Sequence, residues 1–164
     1  MANLWHTKDV PHKGWNLVDV IDIREDGQLE EDTPYETCMM CNHDKIRYIH
    51  ILEHNEYPHH LRVGCNCAEK LTEDYTNPAS KEKELRSRAS RLKTWYTRKW
   101  KTSTKGNTYL NIEEHNITIF KNKKTAKFTV KIDESFGKKE FETLREAQTA
   151  AFKGMEYYKK KGDW

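Results

Sequence analysis

A chain of 164 residues, 35% hydrophobic and 34% charged, has room for one domain or two small ones, each with a modest core. No apolar run approaches the roughly 18 residues that a membrane-spanning helix needs, and no signal peptide opens the chain, so a cytoplasmic protein without a membrane partner is expected. The net charge of +3 conceals a split, with −6 over residues 1–37, −2 over residues 38–77 and +11 over residues 78–164, and the last part suits a polyanion.

In chain order, Trp15–Arg24 (WNLVDVIDIR) predicts a strand from its Val and Ile content, followed by the turn Asp26-Gly27. Glu30-Glu31-Asp32 reads as an acidic linker. Next come the chain's four cysteines, as Cys38-Met39-Met40-Cys41 and, 23 residues later, Cys65-Asn66-Cys67. Two close pairs can surround one ion, and four thiolates without an open position suit a structural Zn2+. Cys38, Cys41, Cys65 and Cys67 are therefore the expected ligands of one zinc ion. Two disulfides are the alternative, disfavoured by the expected reducing compartment. His43 is a competing donor, but four thiolates suffice.

Between the pairs, Lys45–His54 alternates, with Ile46, Tyr48, His50, Leu52 and His54 on one face. Asn55–His60 breaks the run, and Leu61–Gly64 returns as a short strand. Asn66 is placed to cap a helix with Glu69 as its capping-box partner, which puts Cys67 in the first turn, where the macrodipole favours a thiolate. The order of knuckle, hairpin and helix, carried by Cys38-x-x-Cys41-Asn42 and Gly64-Cys65-x-Cys67-Ala68, resembles the treble-clef zinc finger over about residues 36–76. The resemblance implies a structural zinc module, and the shortened second pair departs from the usual pattern. Treble clefs serve many roles, so function has to be read elsewhere.

Asn77-Pro78 predicts a helix start, and Leu85, Ala89, Leu92 and Tyr96 form an apolar stripe along a helix reaching about Trp100. From Ser80 to Lys105 ten basic residues stand against two acidic ones. Strands are expected at Thr108–Asn111, Asn116–Lys121 and Ala126–Asp133, with a further extended piece at Lys138–Glu142. Thr143-Leu144-Arg145-Glu146 is a capping box, and the helix it opens carries Ala147, Ala150, Ala151, Met155 and Tyr158 on one stripe. The expected fold class is α+β: a zinc module with its preceding strand (1–77), a connecting basic helix (78–105), and a small antiparallel sheet on one helix (106–164).

That last arrangement, on Phe141-x-Thr143-x-x-Glu146-Ala147-x-x-Ala150-Ala151, resembles the three-stranded-sheet domain of plant ethylene-response factors and phage-integrase arm-binding domains. The resemblance implies an exposed sheet face turned to DNA, although the strands lack the arginine and tryptophan run of the plant proteins.

The basic half points to nucleic-acid binding, DNA before RNA, because Lys and Arg release counterions from phosphates. Expected contacts are Arg86, Arg88, Arg91, Lys93, Arg98, Lys99 and Lys101, with Lys123, Lys124 and Lys127. Trp95 and Trp100 either stack on bases or pack between the two modules. No phosphate loop, serine elbow or spare cysteine nucleophile is present, so a non-catalytic protein is expected. Two alternatives stand beside this reading. One is a protein-interaction adaptor that docks a partner through the acidic N-terminal strand and zinc hairpin. The other is an HNH-like nuclease using His50 or His59, which would need a second, open metal site.

Overall fold

Strand pairing follows the alternation visible in the sequence. In the computed structural model, which describes residues 3–164, β1 (Asn16–Asp22), β2 (Tyr48–His54) and β3 (Tyr57–Val63) form an antiparallel sheet in the order β1-β2-β3. Helices α1 (Cys65–Thr72) and α2 (Asn77–Trp95) follow. A second antiparallel sheet contains β4 (Lys101–Thr102), β5 (Thr108–Ile112), β6 (His115–Lys121), β7 (Phe128–Ile132) and β8 (Ser135–Phe136) in chain order, and α3 (Leu144–Lys161) comes after it. The class is α+β, as expected. The chain divides into two compact units, Met1–Ala89 and Ser90–Trp164, with the boundary inside α2. Among the described residues no helix is long and apolar enough to cross a membrane.

In the first unit, the inward residues of the hairpin meet one side of α1. Trp15, Leu52, Leu61, Val63, Ala68 and Leu71 are each at most 2% exposed, and burial on that scale contributes about 1.5–3 kcal/mol for each large side chain. Trp15 is fixed at both ends, its backbone N–H on the Leu71 carbonyl and its indole N–H on that of Pro11. The stretch Glu30–Asp32, expected as a linker, forms a short 3-10 helix.

α1 begins earlier than the sequence suggests. Its N-cap is Gly64, without a side-chain cap, so Asn66 lies inside the first turn. Cys65 and Cys67 are consequently both helical. Residues two apart on a helix point about 200° from each other.

In the second unit, α3 lies across one face of the sheet. Leu110, Ile112, Ile117, Ile119, Val130 and Ile132 point to it and are buried with Ala147, Ala151, Phe152 and Met155. Leu92 and Trp95 join this core from the end of α2. Trp95 donates its indole N–H to the Gln148 carbonyl at 2.8 Å and meets Phe152 edge-on. Trp95 thus packs in the core of the second unit, which neither alternative for it anticipates. Thr143 caps α3 as read, its hydroxyl accepting from the Glu146 N–H at 3.1 Å. The sheet has five strands where three were expected. β4 and β8 are two residues long, too short to leave a pattern of alternation.

Candidate metal centre and its surroundings

Cys38 opens a tight knuckle whose backbone closes on itself: the Cys38 N–H donates to the His43 carbonyl, and the Asn42 N–H to the Cys38 carbonyl. Asn42 takes a left-handed φ of 65°, which asparagine tolerates better than most residues. The Met39 N–H binds the Arg62 carbonyl, tying the knuckle to β3. Cys67 comes from the first turn of α1, on the side that faces the knuckle. The sulfurs of Cys38, Cys41 and Cys67 all lie within 4.8 Å of one another, placed to hold one metal ion.

The surroundings favour a negative sulfur at Cys38. Cys38 is drawn down to about 5, first by a hydrogen bond from the Cys67 thiol and then, against the cost of burial, by the backbone N–H groups of Cys41, Gly64 and Met40. Cys67 is pushed up by the same hydrogen bond, because the pair holds one proton between them, while the Trp5 side chain opposes that shift by hydrogen bonding to its sulfur. A thiol set with backbone N–H groups already aimed at sulfur fits Zn2+.

The sulfur of Cys65, the fourth expected ligand, falls outside the group in which the other three sulfurs lie within 4.8 Å of one another. It forms a second group with His50 and Glu82, again with all three ligand atoms within 4.8 Å. The helical position of Cys65 explains the separation from Cys67. Burial, followed by the carboxylates of Glu82 and Glu69, pushes the Cys65 thiol up to about 12. His50 is fully buried and meets Glu82 through Nε2 at 3.1 Å. Burial disfavours the Glu82 charge, but hydrogen bonds from His50 and Arg86 outweigh it and hold this carboxyl below its usual value. The Arg86 guanidinium also lies 4.4 Å from the centre of the Tyr48 ring. One cleft of about 770 Å³ is lined by all four cysteines together with Glu82 and Arg86. Sequence reasoning missed His50 and Glu82 as a pair. The place of His50 between Tyr48 and Leu52 on an apolar strand face was the available clue to its burial.

The expected nucleic-acid contacts fall into distinct situations. Arg86 pairs with Glu82 at 3.0 Å, Arg88 with Asp26 through two hydrogen bonds of 2.7 and 2.8 Å, and Lys127 with Glu142 at 3.4 Å. Arg98 lies over the Trp95 ring. Arg91, Lys93, Lys99, Lys101, Lys123 and Lys124 have no carboxylate within salt-bridge distance among the described residues.

The face of the second sheet turned away from α3 carries a feature that the sequence did not reveal. Cross-strand pairing places Lys101, Tyr109, Thr118, Lys131 and Phe136 in one row over all five strands. Phe120 sits beside this row, its ring 5.9 Å from that of Phe136, and the Lys131 ammonium lies 5.0 Å from the Phe136 ring centre. Phe136 is 62% exposed. Comparison with protein families, curated proteins and solved structures finds no match to this chain.

Proposed function

We propose that this chain is a non-catalytic, zinc-stabilised nucleic-acid-binding protein that grips single-stranded DNA on the open face of its second sheet. The cross-strand row from Lys101 to Phe136 carries the reading. It sets cations beside the half-buried Tyr109 and Phe120 and the exposed Phe136 on a face that α3 leaves uncovered. Aromatic faces stack on unpaired bases, and neighbouring ammonium groups neutralise the backbone. The cations without carboxylate partners, Lys99, Lys101, Lys123 and Lys124 among them, supply phosphate contacts in the same unit. Residues 90–164 sum to +9, which complements a polyanion.

Zinc on this reading is structural. It joins the knuckle to α1, and the order of knuckle, hairpin and helix supports assigning the first unit to the treble-clef class. The adaptor alternative finds less support: β1 is a sheet edge, but its register shifts between Leu17 and Asp19, and such bulges blunt strand addition.

The test is anisotropy binding of fluorescent single-stranded DNA, duplex DNA and RNA at two salt concentrations, with Phe136→Ala beside the wild type. Stacking on one base contributes about 1–3 kcal/mol, so Phe136→Ala should weaken single-strand binding roughly 5- to 150-fold. Its exposure predicts a stability change within about 0.5 kcal/mol. Equal affinity of wild type and variant for every probe would remove the sheet face from the interface.

A further inference from the structure

The first unit holds a second set of ligand-type side chains that the thiol trio does not use. His50 on β2, Cys65 at the start of α1 and Glu82 on α2 bring nitrogen, sulfur and oxygen within 4.8 Å of one another. We propose that His50, Cys65 and Glu82 form a second zinc site, with three protein ligands and a fourth position open to the cleft for water or an exchangeable small anion.

Three observations carry this. The first is the donor set. A thiolate, an imidazole and a carboxylate together match borderline Zn2+ better than the hard cations Mg2+ or Ca2+, and the two anionic ligands balance its charge.

The second is His50 itself. The ring is fully buried, yet its Nδ1 is a buried side-chain atom with no hydrogen-bond partner. Buried polar groups are nearly always paired, so an orphan nitrogen calls for a reason. With Nε2 on Glu82, the ring loses at most one hydrogen bond by accepting a cation at either nitrogen.

The third is the support around the carboxylate. Arg86 donates to Glu82 Oε2 at 3.0 Å while Oε1 faces His50, which fixes the orientation of this ligand from behind. Cys65 and Glu82 both line the cleft, so an ion has a route in.

Metal counting on the full chain decides the matter. Protein from zinc-supplemented cultures is dialysed under reducing conditions against buffered micromolar Zn2+, and bound zinc is measured by mass spectrometry. Wild type should hold two equivalents, and His50→Ala and Glu82→Ala one each. His50 lies in the core, so His50→Ala can fail to fold. Glu82→Ala, at the cleft with its side chain 15% exposed, then carries the test, with a native circular-dichroism spectrum as its control. With Co2+ as the probe, azide should shift more of the visible absorption in wild type than in Glu82→Ala. One equivalent in wild type, with affinity lowered by Cys65→Ser, would mean that Cys65 joins the trio, and the proposal would fall. Two equivalents retained by a folded Glu82→Ala variant, or bands insensitive to azide, would overturn it as well.

Discussion

Replacing Arg88 by alanine should cost stability and leave nucleic-acid binding alone, although sequence reasoning counted Arg88 among the phosphate contacts. Its guanidinium meets Asp26 through two hydrogen bonds of 2.7 and 2.8 Å, with side chains 31% and 18% exposed. Exposed ion pairs contribute up to about 1 kcal/mol, whereas hydrogen bonds to charged groups contribute about 1.5–3 kcal/mol. Intermediate burial and bidentate geometry place this pair at about 1.5–2 kcal/mol. For a unit of this size each kcal/mol moves the midpoint by about 4–8 °C, so its transition should fall by roughly 6–16 °C. Calorimetry reads that shift, and anisotropy at several salt concentrations reads the binding. Lys101→Ala is the opposite case: an unchanged melt, and a single-strand salt slope shallower by about 0.7. An Arg88→Ala protein that melts like wild type but loses a comparable increment of salt slope would show that the Asp26 pair does not hold Arg88 in solution.

Cys38→Ser should unfold the zinc module, because structural zinc supplies on the order of 10 kcal/mol in small fingers; an unchanged melting curve with zinc retained at the trio would refute the ligand assignment. The Asp133 carboxyl is held below its usual value, first by the Asn116 N–H at 2.9 Å and then by His115 at 2.6 Å. A depressed folded value means stability that is present above the unfolded pKa, about 3.9, and lost as pH falls through the folded one. Denaturation of wild type and Asp133→Asn should therefore differ at neutral pH and converge in acid, and a pH-independent gap would contradict this. At Gly154 on α3, an added Cβ would lie 2.8 Å from Ile132 Cδ1. Gly154→Ala should gain helix propensity of up to about 1 kcal/mol only in an Ile132→Val background, and strict additivity of the two changes in denaturant melts would show that there is no clash.

Elements with a strong period were legible in the sequence. β2 was read from the alternation through Tyr48 and Leu52, and the start of α3 from the Thr143 capping box, because each pattern is local. The cysteine pairs announced a metal centre, and three of the four sulfurs meet. The destination of Cys65 was not legible, since it depends on whether α1 starts at Cys65 or after Asn66, a shift of one or two residues that propensity does not resolve. The Cys65–Glu82 contact joins residues on different helices, and no local pattern encodes it. The row over the second sheet was hidden for a similar reason: register across five strands is a property of pairing, and two of those strands have two residues each.

The placement of Cys65 and Cys67 two positions apart on α1 has an evolutionary corollary. One more residue between them would rotate the first sulfur by about 100° and bring both nearly to the same side of the helix. Spacing would thereby convert a pair of separate centres into a single closed one. Kindred chains with the longer Cys-x-x-Cys spacing would have no use for the histidine and glutamate at positions 50 and 82, and those three features should be gained or lost together.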